Sequence, residues 1–440
     1  MSLEASHPDR SFPRLHPRPA SGWLNDPNGI HFADGRWRVF FQYNPTSARH
    51  GDITWGRMSS ADLLRWEQEG VALTPQPGAG DEYGCWSGVA VIDDGVPTLV
   101  YSGVRDEWGH SEVMLARPDA DGTGWAQSAH VAAPMPESRR VLAARDPFLF
   151  EFAGRRWGLV GASHAPGVGA ILLYDASDLA DWQERGVLVH SLHPEARVLR
   201  PANVWECPQF VRVGEDWVLI VSLWVAGRTA DVVYLIGSLD LDEDSGLPRF
   251  APRAAGLLDD GPSFYAPQAV LAGERDGGPR RVLVWGWARE VVADGVRGRT
   301  EEDADEVGWS GALTFPRELV VDGDAVRTVP ARELEGLRGE PVEVGVLPDQ
   351  AEVLLSGHGP AELRLAADGE EGQPIWRGEL TGAAVRVLID ASVIEIFPDG
   401  ATSITLRAYP AEGENYRVTA GPGVRVDAWS LRLPGPLDAP

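Results

Sequence analysis

Apolar, β-branched and aromatic runs recur along this chain at an almost constant interval. They fall at residues 37–43, 98–103, 157–164, 217–224 and 281–287, and their centres step by about 60 residues. A second series lies beyond them, at 52–60, 111–118, 169–174, 231–239 and 311–315. Turns such as Asp34-Gly35 and Asp94-Gly95 punctuate the runs, which suits tight connections between antiparallel strands. The residues just before each run show the same step. Asp26, Trp86, Asp146, Glu206 and Tyr265 follow one another at intervals of 60, 60, 60 and 59. Three or four short strands per unit, five units and no convincing amphipathic helix predict an all-β fold, a five-bladed β-propeller over residues 1–325. A sandwich or jelly roll would not give so even a long period.

The repeat weakens near residue 320. Residues 326–340 read as a linker, and alternating runs at 384–389, 393–397 and 403–409 predict a small C-terminal β-sandwich over 341–440. Proline supports the geometry. Pro27, Pro147, Pro208 and Pro267 follow the key positions by one or two residues. Proline cannot donate to a sheet ladder and is confined to edges and strand ends. The innermost strand of a propeller blade is such an edge.

On that arrangement Asp26, Asp146 and Glu206 converge at a channel mouth. Three acids there suit glycosidic bond cleavage, which needs a proton donor at the leaving oxygen and a second carboxylate at the anomeric carbon. Negative charge nearby stabilises an oxocarbenium-like transition state. Trp205 and Cys207 flank Glu206. A partly desolvated carboxyl favours its protonated form, so Glu206 is assigned the acid/base role. The chain carries 17 tryptophans. Trp23, Trp55, Trp86, Trp205 and Tyr265 lie on or beside the channel strands, where aromatic faces can pack on sugar rings. The amides of Asn25, Gln42 and Asn44 are candidates for binding hydroxyls.

Composition narrows the partners. Of 440 residues 43% are hydrophobic and 24% charged, and the formal net charge is −26. That balance disfavours nucleic acid and anionic membrane surfaces. The expected partner is a small-molecule or oligosaccharide substrate. The two cysteines, Cys85 and Cys207, fall in non-adjacent units and are expected to stay unpaired. No apolar stretch in the first twenty residues resembles a signal peptide, so a cytoplasmic location is expected. The histidines show no zinc-site spacing, and no Gly-x-Gly-x-x-Gly loop or Gly-x-Ser-x-Gly elbow is present. The acidic stretch 301–306 reads as a solvated loop.

Taken together, the motifs resemble those of glycoside hydrolase family 32, the invertase, levanase and inulinase group. Trp23-Leu24-Asn25-Asp26-Pro27-Asn28-Gly29 is similar to its W-x-N-D-P-N-G signature, Arg145-Asp146-Pro147 to its R-D-P, and Glu206-Cys207-Pro208 to its E-C-P. Also similar are Phe41-Gln42-Tyr43-Asn44-Pro45, Thr54-Trp55-Gly56, Cys85-Trp86-Ser87-Gly88, Phe264-Tyr265-Ala266-Pro267-Gln268 and Gly308-Trp309-Ser310-Gly311. A late run from Ile389 to Phe397 resembles the family's D-x-S-x-x-E-x-F. The resemblance implies a retaining mechanism on β-fructofuranosides without metal or organic cofactor. Asp26 would be the nucleophile, Glu206 the acid/base and Asp146, beside Arg145, the transition-state stabiliser. Asn25, Gln42, Trp55, Trp86, Ser87, Arg145 and Tyr265 would shape the substrate pocket. The chain departs from the family pattern at Arg57, Gln209 and Ser263, positions expected near the leaving group. A fructosyltransferase, an inverting arabinosidase or xylosidase on a related propeller, and a carbohydrate-binding propeller are the alternatives.

Overall fold

A computed structural model describes residues 7–273, 278, 280–291 and 298–435. Five antiparallel sheets form the blades of a propeller. Their innermost strands are Gly22–Ala33, Gly84–Asp93, Val141–Phe152, Val204–Val213 and Phe264–Ala272, and each pairs with the apolar run that follows it. The ring closes where Trp309–Ser310 runs parallel to the first inner strand, Gly22 opposite Trp309 and Trp23 opposite Ser310. The outermost strand of the fifth blade, Ala325–Pro330, occupies the start of the stretch read as a linker.

Large aromatic side chains fill the spaces between blades. Trp55, Trp157, Trp205, Trp285 and Trp309 are fully buried. Trp205 packs against Gly161 and Gly169 of the third blade, and a Cβ at Gly169 would lie 2.4 Å from the indole. Glycine is therefore required there by close approach rather than by its backbone angle. One short helix, Glu301–Val307, replaces the loop expected from its acidity. Thr300 and Asp303 form a reciprocal capping box, three acids occupy the first turn and Gly308 closes the helix in the left-handed region. Those are strong start and stop signals. No helix among the described residues is long and apolar enough to cross a membrane.

The C-terminal β-sandwich is organised by one long strand, Gln350–Ala366. Its first half pairs with Val385–Asp390 and Val424–Leu431, and its second half with Gln373–Thr381 and Asn415–Ala420. Between the sheets lies an apolar core that includes Val353, Leu363, Ile389, Ile394 and Tyr416.

The two domains meet across fully buried charge. His16 bonds Asp390 through Nδ1 at 2.8 Å and Glu395 through Nε2 at 2.9 Å. Arg317 reaches Asp259 at 2.8 Å and Glu395 at 2.6 Å. Asp390 also accepts the amides of Arg14, Leu15 and His16. Burial opposes ionisation of Asp390 and Glu395, yet both are held below their usual range. His16 dominates the opposing effects at Asp390, and the charge of Arg317 followed by the His16 hydrogen bond does so at Glu395. Burial likewise disfavours a charged His16, and its two carboxylate partners raise it nonetheless. The two acids of the late motif thus fasten the domains together.

Candidate active site

Each of the five inner strands bulges at the same depth. The irregularity falls between Leu24 and Pro27, Trp86 and Gly88, Arg145 and Phe148, Glu206 and Gln209, and Tyr265 and Gln268. Asp146, Cys207 and Ala266 take positive φ angles of 63°, 48° and 45° within these bulges. A bulge bends the strand and re-aims its side chains. Side chains from neighbouring blades satisfy the backbone freed there: Asp146 N donates to Ser102 Oγ at 2.7 Å, Cys207 N to Asp146 Oδ2 at 3.0 Å and Ala266 N to Ser222 Oγ at 3.1 Å. By this register Trp86, Arg145, Glu206 and Tyr265 are equivalent, each standing just before the bulge. Asp26 and Asp146 lie inside it. The even step of 60 therefore joins two kinds of position.

The three acids come together on the floor of a cavity of about 750 Å³. Ser87 Oγ donates to Asp26 Oδ2 at 2.6 Å and Gln42 Nε2 to the same oxygen at 3.2 Å, while Asn25 Nδ2 donates to Oδ1 at 3.1 Å. Arg145 grips Glu206 Oε1 through Nε at 2.7 Å and Nη2 at 2.6 Å. Tyr265 donates its hydroxyl to Glu206 Oε2 at 2.6 Å. The Cys207 sulfur lies 3.6 Å from Asp26 and 3.5 Å from Asp146, so it bridges the two aspartates. Burial is the main cause that raises Asp26, to about 6. The Ser87 hydrogen bond partly offsets it, and the charge of Glu206 adds to it. Burial and then Glu206 raise Asp146 against the pull of Arg145. Burial and the surrounding carboxylates push the Cys207 thiol well up, so it sits there as a neutral donor.

Of the residues expected to shape the pocket, Asn25, Gln42, Trp86, Arg145 and Tyr265 line the cavity. Ser87 holds Asp26 from beneath. Trp55 does not reach the cavity: it is fully buried among Phe40, Cys85 and Tyr101, with its indole N–H on the Trp86 carbonyl at 3.0 Å. Trp205 turns between blades, so Arg145 and Tyr265, not Trp205, are the immediate partners of Glu206. Asn44 caps its own loop, accepting from Thr46 N at 3.0 Å.

An aromatic arc forms the wall. Tyr265, Trp287, Trp23, His50 and Trp86 follow one another at centroid distances of 6.5, 5.6, 6.1 and 6.4 Å. Trp108 stands 78% exposed at the rim. Trp224, Trp287, Arg289 and Glu290 also line the cavity and went unmarked in the sequence. The tryptophans sit at or near the ends of the second strands, Trp287 opposite Tyr265 and Trp224 opposite Val204, and a tryptophan so close to the end of a run was the available signal. Among the described residues no group of three or more His, Cys, Asp or Glu is placed to hold a metal ion.

Residues 16–330 match the model of the glycosyl hydrolases family 32 N-terminal domain. This chain belongs to glycoside hydrolase family 32. It is 32% identical to a raffinose invertase of Escherichia coli, over 93% of this chain and 91% of that one. It is 31% identical to a sucrose-6-phosphate hydrolase of Klebsiella pneumoniae, over 96% and 94%. A solved family 32 β-fructofuranosidase of Bombyx mori superposes with a TM-score of 0.79 at 24% identity, covering 96% of this chain and 94% of that one.

Within this family 32 fold, the three departures from the family pattern do not line the cavity. Gln209 accepts from Ala269 N at 2.9 Å and ties the fourth blade to the fifth. Arg57 reaches the Thr123 carbonyl at 3.0 Å on the second blade. Ser263 is buried beside the sandwich, where its amide meets Thr405 O. They bear on packing rather than on leaving-group contacts.

Proposed function

We propose that the chain is a retaining β-fructofuranosidase acting on sucrose or short fructo-oligosaccharides. The observation that carries this reading is the meeting of three carboxylates from three blades, with their donors, on one aromatic-walled floor. Asp26, oriented by three hydrogen bonds, attacks the fructosyl C2. Glu206 gives its proton to the glycosidic oxygen, and the leaving sugar departs as an alcohol. A hydroxyl both donates and accepts, so the Tyr265–Glu206 contact survives protonation of the acid. Asp146 holds fructosyl hydroxyls and supports the developing positive charge. In the second half Glu206 takes a proton from water, the water oxygen bonds to C2 and the Asp26 ester bond breaks. Family membership and relatives named as an invertase and a sucrose-6-phosphate hydrolase support the reading.

Release of free glucose and fructose from sucrose, by wild type and Asp26→Ala side by side, tests it. Equal amounts from wild type and none from the variant are expected. Glucose in excess of fructose would instead indicate transfer to a sugar acceptor. Sucrose 6-phosphate run in parallel separates the substrate classes named by the two relatives.

A further inference from the structure

Among the described residues four carboxylates line the cavity, and three of them belong to inner strands. The fourth is Glu290, two residues beyond the strand Arg281–Ala288. It is held from the second domain. Arg407 Nη2 meets Glu290 Oε1 at 2.9 Å, and the Tyr409 hydroxyl donates to Oε2. Gly311 N approaches Oε1 at 3.4 Å. Arg407 is itself fully buried and anchored on the Ala288 carbonyl and on Ser392 Oγ, each at 3.0 Å. Its neighbour Arg289 lies over the Tyr265 ring at 5.3 Å, and Tyr265 bonds Glu206. Glu290 therefore lines the same cavity as Glu206 and follows directly on the residue that covers the Tyr265 ring. An ionised carboxylate offers about four acceptor positions. Among the described residues three donors reach Glu290, one fewer than that number.

We propose that Glu290 binds a hydroxyl of the leaving sugar, and that Arg407 and Tyr409 of the C-terminal domain are positioning residues that aim it. This rests on the β-fructofuranosidase reading and deepens it: the second domain sets which leaving groups are favoured. A leaving group without hydroxyls gains nothing from Glu290. A hexose gains one charge-assisted hydrogen bond.

The test compares kcat/KM on a hydroxyl-rich substrate (sucrose or sucrose 6-phosphate, whichever wild type cleaves faster) with kcat/KM on methyl β-D-fructofuranoside. In Glu290→Gln the ratio of the two should fall by about 10-fold, as loss of a hydrogen bond to a charged group implies. Tyr409→Phe leaves Glu290 in place but frees one oxygen, and the ratio should fall by about 3-fold. Glutamine keeps the shape beside the buried Arg407, and matched melting curves would establish that both variants fold. An unchanged ratio in both variants, whether or not overall activity drops, would overturn the proposal, because a structural role lowers both substrates alike. Failure of the β-fructofuranosidase reading is distinguishable: wild type would release fructose from none of these compounds.

Discussion

Two groups of carboxylates are buried in this molecule and are held in opposite ways. At the domain seam Asp390 and Glu395 face His16 and Arg317, and their affinity for protons is lowered. On the cavity floor Asp26, Asp146 and Glu206 come together with one arginine, which Glu206 holds, and Asp26 and Asp146 are raised. Burial opposes charge in both places, so burial alone does not mark a catalytic acid. What differs is the supply of cations. The seam has complementary charge and acts as a fastener. The floor has one arginine, bound to Glu206, for three acids, which leaves Asp26 and Asp146 raised.

The comparison breaks most sharply at Asp26. Asp26→Ala should cut fructose release by about 10⁴-fold or more, as loss of a covalent nucleophile does. Its melting temperature should hold or rise, because one of three crowded acids is gone; activity near wild type would remove Asp26 from the mechanism. The counterpart at the seam is His16→Ala. It removes the cation from buried Asp390, leaves Glu395 with Arg317 alone, and should cost about 3–5 kcal/mol in urea unfolding. Turnover by the folded fraction should change little, and a loss of stability below about 1 kcal/mol would show that the seam is not held by charge.

Proton linkage sharpens the contrast with smaller effects. Asp26 and Asp146 keep protons in the folded state that the unfolded chain releases above about pH 4. Their contribution to stability therefore falls as pH rises from there through their raised folded values. Asp146→Asn should flatten that fall, read as melting temperature against pH. The seam carboxylates have the reverse sign: their contribution is present above about pH 4 and lost as pH drops. The contribution of His16 is full below about pH 6.5 and fades as pH rises through its raised folded value. Activity has its own limb. The nucleophile must be ionised, so kcat/KM should decline as pH falls through about 6.

Much of this was legible in the sequence because a propeller repeats the same layers, and the five apolar runs at one spacing are those layers. The step along the inner strands marked the three acids, and the family resemblance marked Asn25, Gln42, Trp86, Arg145 and Tyr265, all of which line the cavity. Register was harder. A bulge adds a residue without altering the pattern around it, so Asp146 and Glu206 looked equivalent although Arg145 is the true counterpart of Glu206. Trp55 and Trp205 misled because a strand presents alternate residues to opposite faces, and an indole serves an interblade core as well as a sugar. Glu290 was hidden for a different reason. Its setting is made by Arg407 and Tyr409, more than a hundred residues away, and no local pattern records that meeting.

The seam also has a consequence in time. His16 and Asp390 are 374 residues apart. A ribosome therefore delivers the first of these partners long before the second. While the residues between them are made, His16 must wait without its counterparts as the blades assemble behind it. Nascent chains arrested before Asp390 should leave the segment around His16 open to protease, and chains extended well past Glu395 should close it. The strands that carry Asp390 and Glu395 are thus the latch on a segment made long before them.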